Sequence, residues 1–337
     1  MPRNTTLYKI SGTITFRLAS AKTIDGKGTN LQNIEKSMRK IYIPDEGKIF
    51  CQVDQSGAEA LIVAYLCRDG QFRSLFLNGV KPHVFVALHL FADKWQEHLK
   101  YDGIDTKVDI DELCKTPIPE LKFHPQWKMV DKLIKSSDNW PASQRYYYIA
   151  KQVCHSSNYG IKASAFQLNT LDKSKGKIAL TKKQAETYLS FYHELFPELR
   201  AWHREVENQL YACRTLYNLQ GFPRYFSCVI DERMLKEAYA FIPQSTVGTI
   251  TNTAYTNLQN FIEKSGLKWD LLANTHDSYL VQCPVGEEGQ CVSMMKEFIN
   301  QKLTSPRGEP FNMKSEAAVG FNWAPAKESN PNGLKEL

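Results

Sequence analysis

A chain of 337 residues can bury one large core or two modest ones. Its 42% hydrophobic and 23% charged residues are ordinary usage, which excludes disordered and fibrous classes, and no apolar run approaches the roughly 20 residues of a membrane span. The formal charge of +6 is mild for this length and is compatible with a polyanionic partner without requiring one. The eight cysteines are scattered, with no CxxC pair and no histidines at zinc-finger spacing, so they read as free thiols. The opening MPRNTTLYKISG lacks a signal-peptide core, and a cytoplasm-like compartment is the expected setting.

In chain order, KIFCQV (Lys48 to Val53) reads as a strand and GAEALIVAYLC from Gly57 as a buried helix, with Asp54 at their junction and Ser56 as a cap. HVFVALHLF starts a helix at His83, behind Pro82. From Ala92 to Pro141 the chain is polar and carries Pro117, Pro119, Pro125 and Pro141 without a sustained period, which reads as an insertion or elaborated subdomain rather than core. Helices are expected over 144–158 and over 182–210, the second interrupted near Pro197. TLYNL and RYFSCVI read as short strands about the turn QGFP, followed by helices over 232–240 and 244–264. LLANTHDSYLVQC reads as a hairpin, EEGQCVSMMKEFINQKL as a helix and MKSEAAVGFNW as a final strand. Strands at both ends of a largely helical middle predict an α+β fold, an antiparallel sheet backed by helices with a helical excursion between.

Asp54 ends a strand ahead of a helix, and Asp277 sits in a strand turn. Each residue alone is an ordinary surface or turn aspartate. Brought together by a sheet, two such carboxylates can hold a pair of divalent cations, and two cations can clamp the attacking and leaving oxygens of a phosphoryl displacement. In KQVCHSSNYG, Lys151, His155 and Tyr159 recur every fourth residue and share one helix face, which is either a solvated amphipathic face or a row able to line up a triphosphate, a base and a stacking platform.

Taken in order, these segments resemble the polymerase module of family A (DNA polymerase I-like) DNA polymerases over most of the chain. The resemblance runs through FRLAS with TNLQNI, CQVDQSGAEALIVAYLCRDG, KPHVFVALHLF, KQVCHSSNYG, FYHELFPELRAW, QGFPRYF, AFIPQSTVGT, THDSYL and AAVGFNW. It implies a right-hand polymerase core with palm at 1–80 and 205–337 and inserted fingers at 81–204, the latter including the 92–141 insertion. It implies two Mg²⁺ on Asp54, the Gln55 carbonyl and Asp277, with Lys151 as the third catalytic group. His83, His155 and Tyr159 would meet the incoming nucleotide, and Glu59 with Tyr159 would close the sugar pocket to a 2′-hydroxyl. Arg17, Asn30, Gln32, Asn33, Arg224, Gln244 and His276 would contact primer-template DNA. The implied reaction adds deoxynucleotides to a primer 3′-hydroxyl, in a bacterial cell or a virus-infected host.

The sequence also departs from the family pattern. The arginine usual four residues before the helix lysine is Tyr147, and Arg145 lies about 120° off that face. His155 stands where phenylalanine or tyrosine is usual, and Ser278 where a glutamate follows the second aspartate. Few residues precede the first palm motif and no aspartate-x-glutamate exonuclease signature occurs, so the expectation is a thumb and proofreading function supplied by another chain, or weak, distributive DNA binding. Single-subunit RNA polymerases share the design and the HDS motif but lack the glutamate at Glu59. A catalytically silent DNA-binding subunit would accommodate the departures, and a two-metal nuclease is a more distant reading.

Overall fold

The computed structural model describes residues 4–10, 12–55, 57–101 and 108–337. The expected cap Ser56 lies outside the described residues. The chain divides into two units, one formed by 1–59, 216–225 and 241–337 and the other by 60–215 and 226–240. The class is α+β.

The first unit is organised by a five-stranded antiparallel sheet, in the order Lys335–Glu336, Glu316–Gly320, Lys48–Asp54, Ser278–Pro284, Asp270–Asn274. The alternation of side chains along the central strand makes two distinct faces. Phe50 packs with Leu31, Ala273, Leu280, Trp323 and Leu334 on one, where Trp323 Nε1 donates to Gln52 Oε1 at 2.9 Å. On the other face the Glu288–Ile299 helix covers Cys51, Val53, Val281 and Cys283, and Tyr279 anchors it by donating its hydroxyl to the Met295 carbonyl at 2.6 Å. A sheet packed on both faces explains why Ser278–Pro284 is buried almost throughout rather than alternating.

One expectation is corrected where two helices were read across 232–264. A single helix runs Glu232–Ser265 with Pro243 inside it. Proline removes one backbone donor, but the turn is held by side chains as well: Thr246 Oγ1 donates to the Ile242 carbonyl at 2.7 Å and Ser245 Oγ to the same carbonyl at 3.4 Å. Thr215–Tyr217 pairs with Pro223–Tyr225, so the two-stranded unit forms, but the second strand is shorter than the expected RYFSCVI and begins at the last residue of the expected turn.

The second unit is helical. Its core is aromatic, with Phe72 against Phe196 at 5.1 Å between ring centroids and Tyr192 against Phe196 at 5.0 Å. The 92–141 segment differs from its reading as non-core: helices Ala92–Tyr101, Ile110–Lys115, Ile118–Leu121 and Trp127–Ser136 bury Trp95, Ile110, Leu113, Leu121, Val130 and Ile134 completely. Its apolar residues do carry a helical spacing, at 127, 130, 133 and 134. Helices this short, separated by prolines and rich in lysine, never sustain the period long enough to be read. No helix among the described residues is long and apolar enough to cross a membrane.

Candidate active site

The hairpin reading of THDSYL holds, and the turn is unusual. Thr275 N–H donates to the Ser278 carbonyl at 2.8 Å and Asp277 N–H to the Thr275 carbonyl at 3.0 Å. His276, between them, takes the left-handed φ of 71°. Beneath the turn Asn274 is 1% exposed and tied to the N-terminal segment: its N–H donates to Tyr8 Oη at 2.8 Å, and its carbonyl accepts from Tyr8 Oη at 3.0 Å and Gln32 Nε2 at 3.2 Å.

Asp54 ends the central strand directly across from Ser278. The Gln55 N–H donates to the Asp277 carbonyl at 3.0 Å, so residues more than two hundred positions apart share one rigid sheet end. Burial, followed by the charge of Asp277 and then of Glu316, pushes the Asp54 carboxyl up to about 7 against the pull of Lys36 and Arg39. Burial also raises Asp277, while Arg17 pulls it down. Two carboxylates held apart from water and repelling each other are what a cation site looks like before the cation is counted.

Arg17 is aimed into this region by its backbone. Gly248 packs so closely that a Cβ there would meet the Thr15 carbonyl oxygen at 2.9 Å, and Asn252 Nδ2 donates to the Phe16 carbonyl at 2.7 Å. Its guanidinium pairs with Glu59. Arg17 Nε, Gln55 Oε1, Asn274 Nδ2 and His276 Nδ1 are buried polar atoms without a hydrogen-bond partner among the described residues, a concentration expected of a site that meets a polar ligand.

The DNA-contact candidates separate into two kinds. Asn33 is exposed, Arg224 is half-buried with its guanidinium 5.9 Å from the Phe241 ring centroid, and Gln244 is half-buried on the Glu232–Ser265 helix. Asn30 and Gln32 are instead engaged within the fold. Asn30 Oδ1 accepts from Gln32 N–H at 3.1 Å, and Gln32 Oε1 accepts from Ser20 N–H at 2.9 Å while Nε2 donates to Leu18 and Asn274 carbonyls. Gln32 therefore braces the Asp277 turn.

In the second unit, helix Tyr146–Asn158 carries Lys151 and His155 exposed on one face, with Tyr159 at its C-terminal cap and its ring 5.4 Å from that of His155. His83, on helix Pro82–Leu90, is pushed down to about 4 by burial and by the charges of Lys151, His155 and Lys81, which groups these cations in one place. Tyr147 fills the position of the missing arginine and meets the His83 ring edge-on at 6.3 Å. Arg145 caps the helix outside that face, with Nε donating to the Asp138 carbonyl at 2.8 Å. The helix end is fixed by Asn158, which accepts from Tyr192 Oη at 2.7 Å and whose carbonyl meets His203 Nε2 at 2.9 Å. Gly160, at φ 66°, is required because a Cβ would lie 2.8 Å from the Tyr239 ring.

Glu316 was missed. It pairs in register with Asp54 on the side opposite Ser278, which puts its side chain on the same sheet face. The signal was its place at the head of the final strand, but the pairing partner is invisible without register. Lys36 and Arg39, whose charges reach Asp54 from the short helix Lys36–Ile41, were missed as well, because their approach to Asp54 is a tertiary contact.

The family model of DNA polymerase family A matches residues 130–325, more than half of the chain. The chain belongs to DNA polymerase family A. It is similar to DNA polymerase I of Caldicellulosiruptor bescii (22% identity over 340 residues, 96% of this chain and 32% of that protein). It is likewise similar to the thermostable DNA polymerase I of Thermus filiformis (25% over 338 residues, 96% and 32%). The chain thus spans about a third of the length of these curated relatives. In fold it resembles the POL domain of Pol1 from M. smegmatis in complex with DNA primer-template and dNTP, at TM-score 0.67 and 21% identity, covering 95% of this chain and 48% of that one.

In this family A chain the donors present suit a hard divalent cation: two carboxylates raised by burial, and the Gln55 carbonyl, whose hydrogen bond from Ala58 N–H is long at 3.4 Å and leaves acceptor capacity. Ser278 adds no carboxylate; it is buried and its hydroxyl is 2.5 Å from that of Thr275.

Proposed function

We propose that this chain catalyses template-directed addition of deoxynucleotides to a primer 3′-hydroxyl, releasing pyrophosphate, with the sheet-bearing unit as palm and the helical unit as fingers. The observation that carries the reading is the pairing of Asp54 with the Asp277 turn at one sheet end, through the strand ladder and the Gln55–Asp277 bond. When bound, two Mg²⁺ would supply positive charge for the attacking and leaving oxygens. Asp54, Asp277 and the Gln55 carbonyl would hold them.

The chain's own residues do the positioning, which supplies much of the rate in such transfers. Lys151 offers a mobile cation to the triphosphate and a proton to the departing pyrophosphate. His83, kept neutral at physiological pH by its burial and cationic neighbours, donates a hydrogen bond to the phosphates without adding repulsion toward Lys151. Glu59 of the sheet-bearing unit and Tyr159 of the helical unit, with His155 beside Tyr159, are the residues this reading assigns to selecting the sugar. Arg17, Asn33, Arg224, Gln244 and His276 meet primer-template DNA, while Asn30 and Gln32 support that surface from within.

The test is primer extension by the purified chain with Mg²⁺, alone and with lysate of its source, against Asp277→Asn. Extension that falls at least a hundredfold in the variant is expected; equal extension overturns the assignment. Replacing dNTPs with NTPs, in wild type and Glu59→Ala, separates this function from an RNA polymerase-like one. DNA binding with extension at background would identify a silent subunit.

A further inference from the structure

The sheet face turned away from Asp54 carries a different set of donors. Cys51 and Cys283 project from the two central strands onto that face, and Cys291 reaches the same point from the Glu288–Ile299 helix. Their three Sγ atoms lie within 4.8 Å of one another, with Cys51 and Cys283 at 3.7 Å, and all three residues are fully buried. The Met295 thioether is 3.8 Å from Cys291 Sγ, one helical turn along. A zinc–sulfur bond of about 2.3 Å separates thiolates by about 3.8 Å in a tetrahedral site, so this spacing needs little change to close around an ion. The donor set is entirely sulfur, the chemistry of thiophilic ions rather than of Mg²⁺.

We propose that Cys51, Cys283 and Cys291 form a closed trithiolate site for a thiophilic d¹⁰ cation, zinc or copper(I), which staples the Glu288–Ile299 helix to the strands presenting Asp54 and Asp277. Binding exchanges the thiol protons for the metal, releasing them to solvent, so occupancy rises with pH. The burial means that the ion enters as folding completes.

The experiment uses the full chain with the exposed Cys213 and Cys228 replaced by serine, refolded under reductant with one equivalent of Cd²⁺, Zn²⁺ or Cu(I) in separate arms. One retained equivalent after gel filtration is expected, with a thiolate-to-cadmium charge-transfer band at least halved in Cys51→Ser, Cys283→Ser and Cys291→Ser. Circular dichroism checks that each variant folds. Should a variant misfold, the unsubstituted cluster still decides: bound metal is expected to slow alkylation of these three cysteines about tenfold in mild denaturant. Metal content of protein taken from cells distinguishes zinc from copper. No retained metal, a band indifferent to all three substitutions, or a mass deficit of two hydrogens marking a Cys51–Cys283 disulfide would each overturn the site.

Discussion

Arg17 and Glu59 form an ion pair through Nη2 and Oε1, with side chains 17% and 22% exposed. The same guanidinium pulls the Asp277 carboxyl down against the burial that raises it, so one cation serves a sugar-pocket candidate and a metal-ligand candidate together. Arg17→Ala is expected to cost about 1 kcal/mol of stability in urea denaturation, since the pair is partly solvated. It is also expected to move the Asp277 titration upward, read by carboxyl NMR in the metal-free chain. An unchanged titration would show that Arg17 acts on Glu59 alone.

The raised carboxyl of Asp54 makes metal-free stability depend on pH. Between its ordinary value and about 7 the folded chain keeps a proton that the unfolded chain has released. The associated stabilisation is complete below pH 4 and is lost as pH rises through 7, on the order of 4 kcal/mol. Asp54→Asn should flatten this part of the profile and be more stable than wild type at pH 8 in chelator. Added Mg²⁺ should recover stability in wild type but not in the variant.

Glu316 lies across the ladder from Asp54, and like charges directly opposite destabilise a sheet. Glu316→Gln should therefore raise the metal-free melting temperature while weakening Mn²⁺ binding by about threefold to tenfold, measured by calorimetry. A variant that binds Mn²⁺ as wild type does would remove Glu316 from the cation site.

Asn158 fixes the end of the helix bearing Lys151, His155 and Tyr159. Asn158→Ala strands the Tyr192 hydroxyl in a fully buried position and should cost about 2 kcal/mol. Tyr192→Phe with Asn158→Ala should recover part of that loss, a coupling measurable by a double-mutant cycle.

Many of the candidate residues in each unit stood out in the sequence because their signal is local. Asp54 stands where a strand period stops, Asp277 where a turn interrupts two apolar runs, and Lys151, His155 and Tyr159 keep helical spacing. What escaped is what depends on register. Glu316 and the Cys51–Cys283–Cys291 group become neighbours only when strands pair, and nothing in the composition of EAAVG announces its partner. Gln32 shows the converse: a polar side chain suited to a nucleic-acid contact is used up by Ser20, Leu18 and Asn274. Two helices were read across 232–264 where one runs through Pro243, because local propensity is blind to the packing that overrides it.

Glycine would occupy the left-handed position at His276 without strain, whereas a residue with a Cβ gives up about 1 kcal/mol there. The turn thus forgoes its most comfortable occupant in favour of an imidazole whose Nδ1 is buried without a hydrogen-bond partner among the described residues. Replacing His276 with glycine should make the chain sturdier and the site poorer, a divergence that separates what the hairpin needs to fold from what it is there to present.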